Sequence, residues 1–215
     1  MPMKNPVVVI KIADLIDFLK TKTKEALASK YFELHCAVVM AKFVSKQRSE
    51  EHRIGFPAIE RKRREFGKVE DSDDFGAVLE EFVNKDSAQD IFLIPESEIE
   101  RGNEGVPKGN AFQLKRVFTD DTKTSLEEYL IHYLNNVIPK KYAKTTHTEL
   151  VLILSTQFSK QVSVNLRKVR EQFTAANFPF ERILVVAAGK DTVTIAEIWP
   201  DFGQISYTHD EFDHI

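Results

Sequence analysis

The sequence predicts an α/β protein, a three-layer α/β/α domain around a central mixed β-sheet. Two nearly unbroken apolar runs, TELVLILS at 148–155 and FERILVVAA at 180–188, carry the pattern of strands covered on both faces. They alternate with two amphipathic segments, SLEEYLIHYLNNVI at 125–138 and SVNLRKVREQFTAANF at 163–178, which supply the cover. Ahead of them, DIFLI and AFQLKRVF read as a strand pair joined by a connection holding Gly102, Gly105, Pro107 and Gly109.

Taken in chain order, Ile12 to about Gln47 carries Leu15, Ile16, Leu19, Leu27, Phe32, Cys36, Val39, Met40 and Phe43 at spacings of three and four. This predicts two helices broken near Thr21 to Thr23, the second running from about Lys24 to Val44. Glu33 on that helix lies one turn before Ala37 and two before Met40, so it borders the packing face. Residues 45–74 are dense in both charges and predict an irregular or partly helical excursion. DDFGAVLEEFVN predicts a short helix over 73–84. The strand pair follows, then a helix opened by Ser125 as cap with Glu128 three residues on, and stopped by Pro139. Strand, helix and strand come next, and TVTIAEIW is a last strand after the GKD turn. The tail YTHDEFDHI, with His209, Asp210, Asp213 and His214, predicts a polar, frayed end rather than a metal site.

The 215 residues fit a single domain over 1–215, with a core at 25–160 and a C-terminal helix-strand-strand extension. Hydrophobic residues make up 42% and charged residues 29%, the balance of an ordinary globular chain. A formal charge of −3 gives no global sign of a polyanionic partner, so any nucleic-acid surface must be local. A single cysteine, Cys36, suits a reducing, cytoplasmic setting and predicts a core position beside Phe32, Met40 and Phe43. No apolar run approaches a membrane span, so no membrane partner is expected. The motifs GxxxxGK[ST], GxGxxG, GxSxG and HExxH do not occur, which removes the usual marks of nucleotide-triphosphate, dinucleotide, serine-hydrolase and zinc-protease chemistry.

Period-two alternation aims Gln113 and Lys115 of FQLKR to one face of their strand and Leu114 to the other. Asp90, at the start of the paired strand, is the nearest carboxylate along the chain, and Glu33 on the long helix is a second. Carboxylate oxygens suit Mg²⁺, and a fixed amine beside them suits phosphodiester hydrolysis, in which charge develops on phosphoryl oxygens.

In the order FELHCAVVMAKF helix, Asp before an apolar strand, FQLKR strand, helix and strand, the chain resembles the PD-(D/E)XK nuclease superfamily, in its branch with Gln at the last acidic position. The resemblance spans roughly residues 25 to 160 and implies a restriction-endonuclease-like fold. It implies an Mg²⁺ (or Mn²⁺)-dependent endonuclease acting on DNA, or RNA, as a homodimer where both strands of a duplex are cut. Asp90 would be the central metal ligand, Glu33 a carboxylate orienting metal or its waters, and Gln113 and the main-chain carbonyl of Leu114 further ligands. Lys115 would position the attacking water.

The segment IERKRREFGK offers Arg61, Lys62, Arg63, Arg64 and Lys68 for phosphates, and Arg116 follows the QLK triplet. Lys140, Lys141 and Lys144, and Arg167, Lys168 and Arg170, are similar cations whose shared faces the sequence does not give. The competing reading is a non-catalytic binding module on the same fold.

Overall fold

A computed structural model of the chain describes residues 7–21, 31–57, 91–100, 109–117, 125–145, 147–155, 164–174, 178–188 and 191–208. The fold is mixed α/β, with one parallel and five antiparallel strand pairs among the described residues. The chain divides into two compact units, Met1–Phe112 and Gln113–Ile215.

In the first unit, strand β1 (Val7–Ile10) pairs antiparallel with β2 (His52–Pro57), β2 with β3 (Ile91–Pro95), and β3 with the start of β4 (Asn110–Val117). Neither β1 nor β2 was expected from the sequence, where VVVI passes as a short apolar run and HRIGFP sits inside the charged excursion. Pairing explains both: Ile10 lies opposite Ile54, and Ile54 opposite Leu93, and all three are buried. A short strand with few apolar residues is stabilised by its cross-strand neighbours rather than by its own periodicity.

Helix α1 (Ile12–Thr21) packs on α2 (Tyr31–Arg48), and both contact β2. Two helices stand where two were expected, while the expected start of the second near Lys24 lies outside the described residues. Every residue from Cys36 to Ala41 in α2 is buried, so mid-helix there is no solvent face. After α2, Ser49 takes φ 52°, and the chain is fastened at once: His52 donates its backbone N–H to Ser45 Oγ at 3.0 Å. Between β3 and β4 stands a short helix, α3 (Glu96–Glu100), where the sequence predicts only a hairpin connection. Arg53 on β2 grips the Glu96 carboxylate with both Nε (2.6 Å) and Nη2, tying β2 to that helix. The neighbouring guanidinium, by hydrogen bond first, holds the Glu96 carboxyl below its usual range. Gly109 enters β4 so close to β3 that a Cβ there would lie 2.7 Å from the Leu93 carbonyl oxygen, which leaves room for glycine alone.

In the second unit, β5 (Thr148–Ser155) pairs parallel with β6 (Arg182–Ala188), β6 antiparallel with β7 (Thr192–Trp199), and β7 antiparallel with β8 (Gly203–Thr208). Parallel neighbours need a crossover, and helix α6 (Leu166–Gln172) lies within it. Leu150, Leu152, Leu154, Ile183, Val185, Ala196 and Ile198 form a core with Leu126 and Leu130 of α4 (Leu126–His132), Leu134, Ile138, Val169 and Phe173. The alternate residues Val151, Ile153, Leu184, Val186 and Ile195 are buried as well, which is the two-faced burial the apolar runs predict.

Helix α4 opens on a complete capping box: Glu128 donates its N–H to Ser125 Oγ, and Ser125 donates its N–H to the Glu128 carboxylate. Pro139 does not stop the helix as expected. A π-helical stretch, Tyr133–Val137, intervenes, and Pro139 falls in the first turn of α5 (Ile138–Lys141), where its missing N–H costs little. Helix α6 is shorter than the 163–178 expected, ending where Phe173 turns extended at φ −76°, ψ 127°. Asn135 secures that end by donating to Gln172 O (2.9 Å) and accepting from Thr174 N (2.9 Å). Tyr207 and Thr208, expected in a frayed tail, instead end β8, which pairs with β7, and residues 209–215 lie outside the described residues. The predicted helix at 73–84 lies outside the described residues.

Candidate functional site

Strand β4 places the QLK triplet. Gln113 is fully buried at 0% exposure, between Phe112 at 1% and Leu114 at 0%. Two residues on, Lys115 is half-buried, and so is Arg116. Alternation puts Gln113 and Lys115 on one face of the strand and Leu114 on the other, as the sequence predicts. A side-chain amide removed from water in this way costs roughly 1–3 kcal/mol unless its polar atoms are engaged.

Glu33 stands in the first turn of α2 in the first unit and is half-buried. Three residues on, Cys36 is buried and free, as expected of a core thiol. Desolvation first, and the Glu33 charge second, push that thiol far above its usual range, so it is not a nucleophile. His35 is half-buried, and burial lowers its pKa. Gln113, Leu114, Lys115 and Arg116 belong to the second unit. Asp90 immediately precedes β3 and lies outside the described residues, as do Arg61, Lys62, Arg63, Arg64 and Lys68, and the tail residues His209, Asp210, Asp213 and His214.

Among the described residues, no group of three or more His, Cys, Asp or Glu side chains gathers in the way a metal centre requires. No described helix is long and apolar enough to cross a membrane.

The second unit holds two charged arrangements that sequence reasoning did not anticipate. Arg182 on β6 binds the Glu197 carboxylate of β7 through Nε (2.8 Å) and Nη2, and lies 3.6 Å from Glu149 of β5. Arg and Glu on neighbouring strands are seen as partners only once the register is known. The other arrangement joins α6 to the β7–β8 turn: the Arg170 guanidinium lies 5.1 Å from the Trp199 ring centre, and the Arg167 guanidinium 5.6 Å from that of Phe202. The signal available beforehand was the basic triplet in LRKVREQ and the i, i+3 aromatics of WPDF, 29 or more residues further on.

The chain matches no family model, no curated protein and no solved structure.

Proposed function

We propose that this protein is a metal-dependent nuclease that hydrolyses DNA phosphodiester bonds, on a three-layer α/β/α fold of restriction-endonuclease-like type. The observation that carries the reading is Gln113, wholly buried in β4 with Lys115 two residues on along the same face. A glutamine followed at period two by a lysine matches the QxK triplet of the PD-(D/E)XK branch that the chain resembles. Asp90 and Glu33 would hold Mg²⁺ or Mn²⁺, with oxygen from Gln113 and from the Leu114 main chain. The ion, when bound, supplies a positive centre for the phosphoryl oxygens. Lys115 supplies a mobile cation on a long stem, suited to orienting a water and facing charge that develops on the phosphorus. Arg116 and the segment at 61–68 would contact phosphates further along the strand.

The test is incubation of the purified protein with supercoiled plasmid and with single-stranded DNA, in Mg²⁺, in Mn²⁺ and in EDTA. Cleavage should require a divalent ion and should fall by about 100-fold or more in Asp90→Ala and in Lys115→Ala. Cleavage unchanged by Lys115→Ala defeats the assignment. Salt-dependent binding with no cleavage of DNA or RNA would make the protein the non-catalytic module instead.

A further inference from the structure

Helix α6 and the β7–β8 turn build a surface that the cleavage reading does not use. Arg167 and Arg170 are three residues apart on α6, so they share a face, and each lies over an aromatic ring of the turn. Trp199 is anchored from behind, its ring set edge-on to Phe173 at 5.8 Å. Phe202 is 40% exposed, one of two large hydrophobics so exposed among the described residues. Lys168, between the two arginines, is exposed.

The charge state of this surface decides what it can hold. Arg170 donates to the Pro200 carbonyl oxygen at 3.3 Å, and among the described residues neither guanidinium forms an ion pair with a carboxylate, although Glu171 and Asp201 are close in sequence. Stacking occupies the flat face of a guanidinium and leaves donors on its edge. Such an edge fits a phosphate, and an exposed aromatic ring beside it fits a base. One arginine over one ring is ordinary shielding. Here two such pairs occur together, the arginines three residues apart on one helix face, with an exposed lysine flanking them in sequence and one of the two rings 40% exposed.

We infer that Arg167, Lys168, Arg170, Trp199 and Phe202 form a contact site for single-stranded nucleic acid, in which guanidinium edges take phosphates and Phe202 stacks a base. This rests on the nucleic-acid part of the proposed function but not on cleavage.

Trp199 is the only tryptophan in the chain, so its emission reports this surface alone. The full-length protein is titrated in EDTA with a short oligothymidylate, and with an abasic phosphodiester strand of equal length. The oligothymidylate should quench or shift Trp199 emission saturably, and the abasic strand should bind about 10-fold more weakly. Phe202→Ala should lose about 10-fold in affinity for oligothymidylate and nothing for the abasic strand. The Arg167→Gln/Arg170→Gln pair should weaken both, with circular dichroism confirming an intact fold. Binding that leaves Trp199 emission unchanged, or that survives both variants, overturns the site. Quenching without divalent-dependent cleavage retains this site and defeats the nuclease reading; cleavage without quenching does the reverse.

Discussion

His52 shows at the level of one side chain how this fold should depend on pH. It is 2% exposed, its Nδ1 lies 2.8 Å from the Glu50 carbonyl oxygen and 3.3 Å from Ser45 Oγ, and its Nε2 has no hydrogen-bond partner among the described residues. The short contact to a carbonyl fixes the proton on Nδ1, leaving Nε2 as a bare lone pair. Protonating Nε2 would bury a charged donor with nothing to receive it. Burial, assisted by Arg48, accordingly lowers the His52 pKa from 6.5, outweighing the opposite pull of the Glu50 carbonyl and carboxylate. Below that value the unfolded chain takes up a proton that the folded chain refuses, so stability is full above about pH 6.5 and falls as the pH drops toward the folded pKa. The slope is at most ~1.4 kcal/mol per pH unit for each such histidine, and His35 acts in the same direction. Urea unfolding followed from pH 7.5 to about 5.5 should show the midpoint falling, and His52→Gln should flatten the fall in part. An unaltered slope in that variant would assign the effect elsewhere.

At the level of elements, local chemistry is read well where a side chain answers its own backbone. Ser125 and Glu128 were legible because a capping box needs only residues three apart, and both of its hydrogen bonds form. Ser125→Ala should therefore cost about 1 kcal/mol, with Ser125→Asp recovering most of it, as read from the thermal midpoint. The strands that escaped prediction depend on distant partners. In β8, GQISYT has only Tyr207 buried, so there is no alternation to detect, and the strand exists because Ile205 finds Ile195 and Tyr207 finds Val193. In β2, His52 and Arg53 mask a strand whose apolar buried residues are Ile54, Gly55 and Phe56, because His52, although buried too, is polar in type. Pro139 misled for a related reason: proline ends a regular helix by withholding one N–H, but a π-helical stretch just before it shifts the bonding pattern, and Ile138 donates to Tyr133 five residues back. The triplet at 113–115 was legible because strand alternation is itself local, whereas the Arg167 and Arg170 stack on Phe202 and Trp199 required the fold of the second unit.

At the scale of the whole molecule, a net charge of −3 from 30 basic and 33 acidic residues leaves no general attraction for nucleic acid, so binding must come from local clusters that salt can count. For a single strand, the logarithm of the binding constant falls against the logarithm of salt concentration by about 0.7 for each phosphate neutralised. If Arg167, Lys168 and Arg170 are the cations engaged, the slope should be about −2. If Arg61, Lys62, Arg63, Arg64 and Lys68 are also engaged, five further cations should carry it beyond about −5. Oligothymidylate affinity measured by Trp199 emission over a series of NaCl concentrations in EDTA gives the slope directly. In the first case the Arg167→Gln/Arg170→Gln pair should flatten it to about −0.7, and in the second it should leave most of it standing. A slope near zero would mean that cations do not hold the strand, and would count against both surfaces at once.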